Sequence, residues 1–125
     1  MNKILIVILS DPKSGTEEST ARAFNALTTA YDLKERKEDV RIVFQGTGTR
    51  WPSVLYDPNH RLHELFELVT DRVDGACGSC ADVFGAANEV KDAGHKLIRE
   101  LKVPGTDGVT SLGKYLKDGY QIITF

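Results

Sequence analysis

Lys3-Ile4-Leu5-Ile6-Val7-Ile8-Leu9 is the stretch that decides the fold class. An unbroken apolar run behind one lysine has no polar face, so as a strand it must be covered on both sides, as the strands of a parallel sheet are. As a spanning helix the run is too short, and as a secretion signal it lacks a cleavage region. Ser10-Asp11-Pro12-Lys13-Ser14-Gly15-Thr16 follows as a loop by composition, and Ala21, Phe24, Leu27 and Tyr31 beyond it supply an apolar stripe at helical spacing. Val40-Arg41-Ile42-Val43-Phe44 then provides a second strand, followed by the glycine-rich turn Gln45-Gly46-Thr47-Gly48-Thr49 ahead of Arg50 and Trp51.

The β/α alternation continues. Leu62, Leu65, Phe66 and Val69 share one helix face, Val73-Asp74-Gly75-Ala76 reads as a short strand, and Val83, Phe84, Ala87 and Val90 again have helical spacing. Between residues 92 and 109, Leu97, Ile98, Leu101 and Val103 fit either a short strand or an irregular segment, and Pro104-Gly105 and Asp107-Gly108 favour turns. The spacing predicts a short helix over 110–118, a turn at Gly119 and a final strand over 120–125. No linker, repeat or low-complexity tract interrupts the pattern, so residues 1–125 are expected to form a single α/β domain. Its sheet should be doubly wound, because the chain is too short for the eight units of a barrel. In such a sheet function clusters at the carboxyl ends of the strands.

Charge narrows the partners. With 18 Asp plus Glu against 16 Lys plus Arg, no broadly basic surface is implied, and no nucleic-acid partner is expected. No membrane role is expected either, and the cytoplasm is the expected compartment, with the two cysteines acting as reactive thiols rather than as a disulfide framework.

Those cysteines stand in Gly75-Ala76-Cys77-Gly78-Ser79-Cys80-Ala81, at a strand-to-helix junction. If Cys77 ionises, backbone N–H groups at the start of the next helix could stabilise its thiolate, and its sulfur could attack a persulfide, another sulfane sulfur or a disulfide. Cys80 then resolves a mixed disulfide, tunes the first thiol or lines the pocket; two small buried core residues would show the same spacing. A closed zinc site needs four ligands, and one CxxC with three separated histidines, His60, His63 and His95, does not supply them. The loops lack the GxxxxGK[ST] and GxGxxG patterns, so nucleotide binding has no motif support. Ser10, Asp11, Gly46, Gly48, Gly75 and Gly78 are candidate pocket residues at adjacent strand ends, although turn chemistry also explains them. Trp51 is either an aromatic wall for the thiols or core packing, and Arg50 either attracts an anion or is a solvated surface charge.

Four short signatures occur in order. Lys3-Ile4-Leu5-Ile6-Val7 opens the chain, Gly46-Thr47-Gly48 follows the second strand, Gly75-Ala76-Cys77 precedes the third main helix with Gly85 farther along it, and Gly119-Tyr120-Gln121-Ile122-Ile123-Thr124-Phe125 closes the chain. In this order the chain resembles the DsrE/DsrF-like, sulfur-relay-related proteins over nearly its whole length. The resemblance implies a five-stranded, predominantly parallel sheet flanked by helices, a homo-oligomer, and a ligand pocket near a subunit interface. Cys77 matches the family's active-cysteine position, with Cys80 as the competing assignment. The resemblance further implies sulfur carried as a protein-bound persulfide, taken from a sulfur-donor protein and passed to a sulfur-acceptor protein, with no cofactor required. The long loop around Trp51 and the additional Cys80 depart from the simplest relay pattern. The competing expectation is a noncatalytic small-ligand or protein-binding module in which Gly46, Gly48 and Trp51 shape a crevice without covalent chemistry.

Overall fold

Strand β1 (Lys3–Ile8) lies inside the sheet of the computed structural model, which describes residues 1–125. It is flanked in parallel by β2 (Asp39–Phe44) on one side and β5 (Gln121–Thr124) on the other. With β3 (Val73–Cys77) and β4 (Leu97–Ile98) the order is β4-β3-β2-β1-β5, and every pairing is parallel. The five side chains from Ile4 to Ile8 are all buried, as a run without a polar face requires.

Connectivity dictates which helix covers which face. The chain steps from β1 through β2 and β3 to β4 in one direction, and right-handed crossovers place all the intervening helices on a single face. These are α1 (Glu17–Glu35), α2 (Trp51–Leu55), α3 (His63–Glu67), α4 (Gly78–Val83) and α5 (Ala87–Asp92). They enclose the larger core around Ile4, Ile6, Ile8, Val40, Ile42 and Phe44. The connection from β4 to β5 runs back across the sheet, which puts α6 (Leu112–Lys117) on the opposite face. There Leu5, Val7, Val43 and Ile98 are covered by Leu112, Tyr115, Tyr120 and Ile122. One face therefore carries a deep core and the other a thin one.

Three sequence expectations change. The buried face of α1 is Ala23, Ala26, Leu27 and Ala30, whereas Ala21, Phe24 and Tyr31 are exposed. Alanines let the helix lie close on the sheet, and a stripe chosen by side-chain size misses them. The helix after the cysteines is not continuous: it stops at Gly85, where the Ala86 N–H donates to the Ala81 carbonyl (2.8 Å), and α5 starts anew. Val83 is consequently exposed, while Val90 is buried. The ambiguous 97–103 region holds the two-residue β4 and then a loop closed by one antiparallel bridge, Leu101 to Val109.

Strand β3 carries a bulge. Val73 pairs with Ile42 but Gly75 pairs with Val43, so Asp74 is the extra residue. Its carboxylate accepts from the Tyr115 hydroxyl (2.5 Å) and pairs with Arg41 (3.2 Å), tying α6 to the sheet. At the other end of the sheet, the turn after β2 crosses the end of β1 at Gly48, where a Cβ would lie 2.0 Å from the Ile8 carbonyl oxygen. Only glycine fits that crossing.

Gly48→Ala is therefore expected to cost about 2 kcal/mol or more in urea unfolding. Gly113→Ala, where a Cβ on α6 meets nothing within 4 Å, is expected to gain about 0.5–1 kcal/mol. Equal midpoints for the two variants would contradict the close crossing.

Candidate functional site

Cys77 is the last residue of β3 and is fully buried, and Gly78 begins α4 directly after it. Cys80 lies three residues on, about one helical turn, and is half-buried; both thiols are free. The Cys77 side chain and the Gly46 backbone amide both lie close to the Cys80 thiol. Burial is the main cause that pushes the Cys80 thiol up, the hydrogen bond to Cys77 adds to it, and the amide of Gly46 offsets part, leaving it at about 11. Cys80 therefore stays protonated near neutral pH. Cys77 occupies the N-cap position of α4 without a side-chain capping bond, and Cys80 follows it within the same helix.

Arg99 was not singled out by the sequence reading, and the structure brings it beside Cys77. Because Cys77 pairs with Ile98, Arg99 is the first residue past β4 at the carboxyl edge of the sheet. Its Nη1 atom lies 2.7 Å from where a Cβ on Gly78 would stand, so Gly78 makes the room the guanidinium occupies. Two hydrogen bonds, Nη1 to Oδ2 (2.8 Å) and Nη2 to Oδ1 (3.1 Å), fix it on Asp82 of α4. These bonds hold the Asp82 carboxyl below the usual carboxylate range and raise the guanidinium pKa, to which nearby Asp107 and Cys77 also contribute. No local pattern marks Arg99. Its position follows from the pairing of a two-residue strand.

A strap over 101–109 closes this corner. Buried Ser79 accepts from the Asp107 N–H (3.0 Å) through its hydroxyl oxygen, while its hydroxyl (2.8 Å) and its N–H (3.0 Å) both donate to the Gly108 carbonyl. Arg99 adds a longer bond to the Asp107 carbonyl, at 3.3 Å.

The remaining predicted site residues knit the neighbouring strand ends. Gly46 reaches Cys80 through its amide, and Gly48 sits on the end of β1. The Asp11 carboxylate accepts from the Lys13 amide (2.9 Å) and pairs with Arg50 (2.9 Å), which also donates to the Phe84 carbonyl at the end of α4 (3.1 Å). Trp51 is buried in the larger core, and its indole N–H donates to the Ser10 carbonyl (2.8 Å). Gly75 stands in the β3 bulge, against the Lys96 carbonyl. His60 packs edge-on to Trp51, His63 contacts the Leu55 carbonyl, and His95 contacts Tyr56. No three His, Cys, Asp or Glu side chains converge as a metal would require.

Open space lies elsewhere. A cleft of about 310 Å³ is lined by Asp74, Lys96, Glu100, Lys114, Tyr115, Asp118 and Tyr120, and one of about 330 Å³ lies between α1 and Arg61-Leu62. Neither includes a thiol or one of the predicted pocket glycines. No helix is long and apolar enough to cross a membrane.

The model of the DsrE/DsrF-like family matches residues 2–125. A Methanocaldococcus jannaschii protein described as "Uncharacterized protein MJ0733" is 36% identical over 99 residues, covering 79% of this chain and 76% of that protein. No solved structure matches the chain.

The thiol geometry sets a titration order. In Cys77→Ala the hydrogen bond and the charge of Cys77 are gone while burial remains, so the Cys80 midpoint, read by thiolate absorbance, should fall below about 11 yet stay above that of a free cysteine, about 8.5. A midpoint at or below the free value would contradict this. Because the folded pKa is the higher one, the associated stability is present below the unfolded pKa and is lost as pH rises through about 11.

Proposed function

The chain belongs to the DsrE/DsrF-like family, and on that premise we propose that it is a sulfur-transfer protein in which Cys77 carries sulfur as a persulfide. The observation that carries this reading is the placement of Cys77 at the carboxyl end of β3, about one helical turn from a Cys80 thiol that stays protonated near neutral pH. In the loading step the Cys77 thiolate attacks the outer sulfur of a persulfide donor. The donor's S–S bond breaks, its thiolate leaves and takes a proton from solvent, and a new S–S bond forms on Cys77. In the unloading step an acceptor thiolate attacks that outer sulfur and the Cys77 thiolate departs, with the Cys80 S–H positioned to hydrogen-bond it.

Cys80 also sets the lifetime of the carried sulfur. Its attack on the inner sulfur would form a Cys77–Cys80 disulfide and expel sulfide, discharging the carrier without transfer. A thiol with a pKa of about 11 has little thiolate at neutral pH, so discharge is slow and transfer to an acceptor competes well. The partners on this reading are a sulfur-donor protein, a sulfur-acceptor protein and further copies of this chain, in a reducing compartment such as the cytoplasm that keeps both thiols free.

A second reading has its own observation. The polar cleft beside α6, whose lining includes neither thiol, suits a noncovalent role as a small-ligand or protein-binding module.

Reduced protein treated with inorganic polysulfide is expected to gain one reductant-reversible sulfur by intact mass. Cys77→Ala should gain none. Cys80→Ala should gain it and hold it severalfold longer, most clearly at alkaline pH. An adduct that survives in Cys77→Ala would transfer the carrier role to Cys80. Absence of any adduct would favour the noncovalent reading.

A further inference from the structure

We propose that Arg99 is the anion-recognition residue of the Cys77 site, selecting negatively charged sulfur donors, and that Asp107 occupies it in the resting chain. The inference rests on the sulfur-carrier reading of Cys77 and names the class of donor that the carrier accepts.

Three observations carry it. The guanidinium is fixed beside Cys77, because Arg99 follows the residue paired with Cys77 and its Nη1 atom fills the space left by Gly78. It also has unused capacity. A guanidinium offers five N–H donors, and Arg99 makes three hydrogen bonds, two to Asp82 and one to the Asp107 carbonyl. Its side chain is 25% exposed, so a solute can reach the remaining donors. Finally, the two carboxylates around it are held very differently. Asp82 is bound through both oxygens at 2.8 and 3.1 Å, whereas the Asp107 carboxylate is 81% exposed and stands off at 3.7 Å. A contact of that kind is worth little in water. An arriving anion therefore displaces Asp107 and leaves Asp82 in place to keep the guanidinium aimed.

Sulfane-sulfur donors such as persulfides and polysulfides are anions near neutral pH, which matches a guanidinium with open donors against Gly78, the residue after Cys77. Access is part of the same device. Cys77 is fully buried, and the strap carrying Asp107 is clamped to Ser79, two residues beyond it. Exchange of Asp107 for a donor anion removes one of the strap's attachments at the moment the donor arrives.

The test compares alkylation of Cys77 by anionic iodoacetate and by neutral iodoacetamide in a Cys80→Ala background, where Cys77 is the sole thiol. The ratio of the two rates cancels changes in thiolate content and burial, which affect both reagents alike. Arg99→Gln is expected to lower the iodoacetate-to-iodoacetamide ratio roughly three- to tenfold, the effect of one partly screened charge contact. Arg99→Lys should restore part of it. Asp107→Asn should raise the ratio about twofold or more, and because Asp107 lies on an exposed turn this variant carries the test even if Arg99→Gln does not fold. Ratios unchanged in every folded variant would overturn the proposal. Polysulfide loading separates the two ideas: a shifted ratio without persulfide removes the carrier role alone, and persulfide with unshifted ratios removes the anion site alone.

Discussion

Strand β1 offers no polar side chain between Ile4 and Ile8, and the rest of the molecule is arranged to cover it twice. Burial of five such side chains is worth on the order of 10 kcal/mol gross, comparable to the whole net stability of a domain this size. Leaving either face open would forfeit a large part of that. Successive crossovers cover one face with five helices, and a single return connection brings α6 to the other and β5 to the edge beside β1. The same winding brings the carboxyl ends of β1, β2, β3 and β4 to one edge, where Ser10, Gly46 and Arg99 follow their strands and Cys77 ends its own.

Two thiols meet at that edge from different elements. Cys77 is held by the strand and Cys80 by the following helix, so their proximity is built into the strand-to-helix junction. Burial keeps the second thiol protonated near neutral pH, so on the proposed sulfur-carrier reading it is slow to attack a persulfide on Cys77. Around them the Asp11–Arg50–Phe84 contacts lock the loop after β1 to the end of α4. The strap across Ser79, by contrast, is attached by a few polar contacts and has an exposed turn. On the proposed reading, thiols beneath a lightly held strap suit a site that excludes water and still admits a donor.

What could be read from sequence follows from what each residue's signal depends on. β1, β2 and β5 were legible because period and apolar run length are local properties. Cys77 was legible because a thiol at a strand end needs only the strand to be found. The face of α1 was misread because Ala23, Ala26 and Ala30 carry the contact without the bulk that marks a stripe. The break between α4 and α5 had a local signal at Gly85 that the apolar spacing overrode. Arg99 had none: its position comes from the pairing of Ala76 and Cys77 with Leu97 and Ile98, and a two-residue strand leaves no periodicity to read.

The most direct measurement is a crystal structure of the protein after loading with inorganic polysulfide. The account expects density for one additional sulfur bonded to the Cys77 sulfur, with Cys80 still a free thiol beside it. An additional sulfur on Cys80, or a Cys77–Cys80 disulfide with none, would contradict the assignment of Cys77 as the carrier.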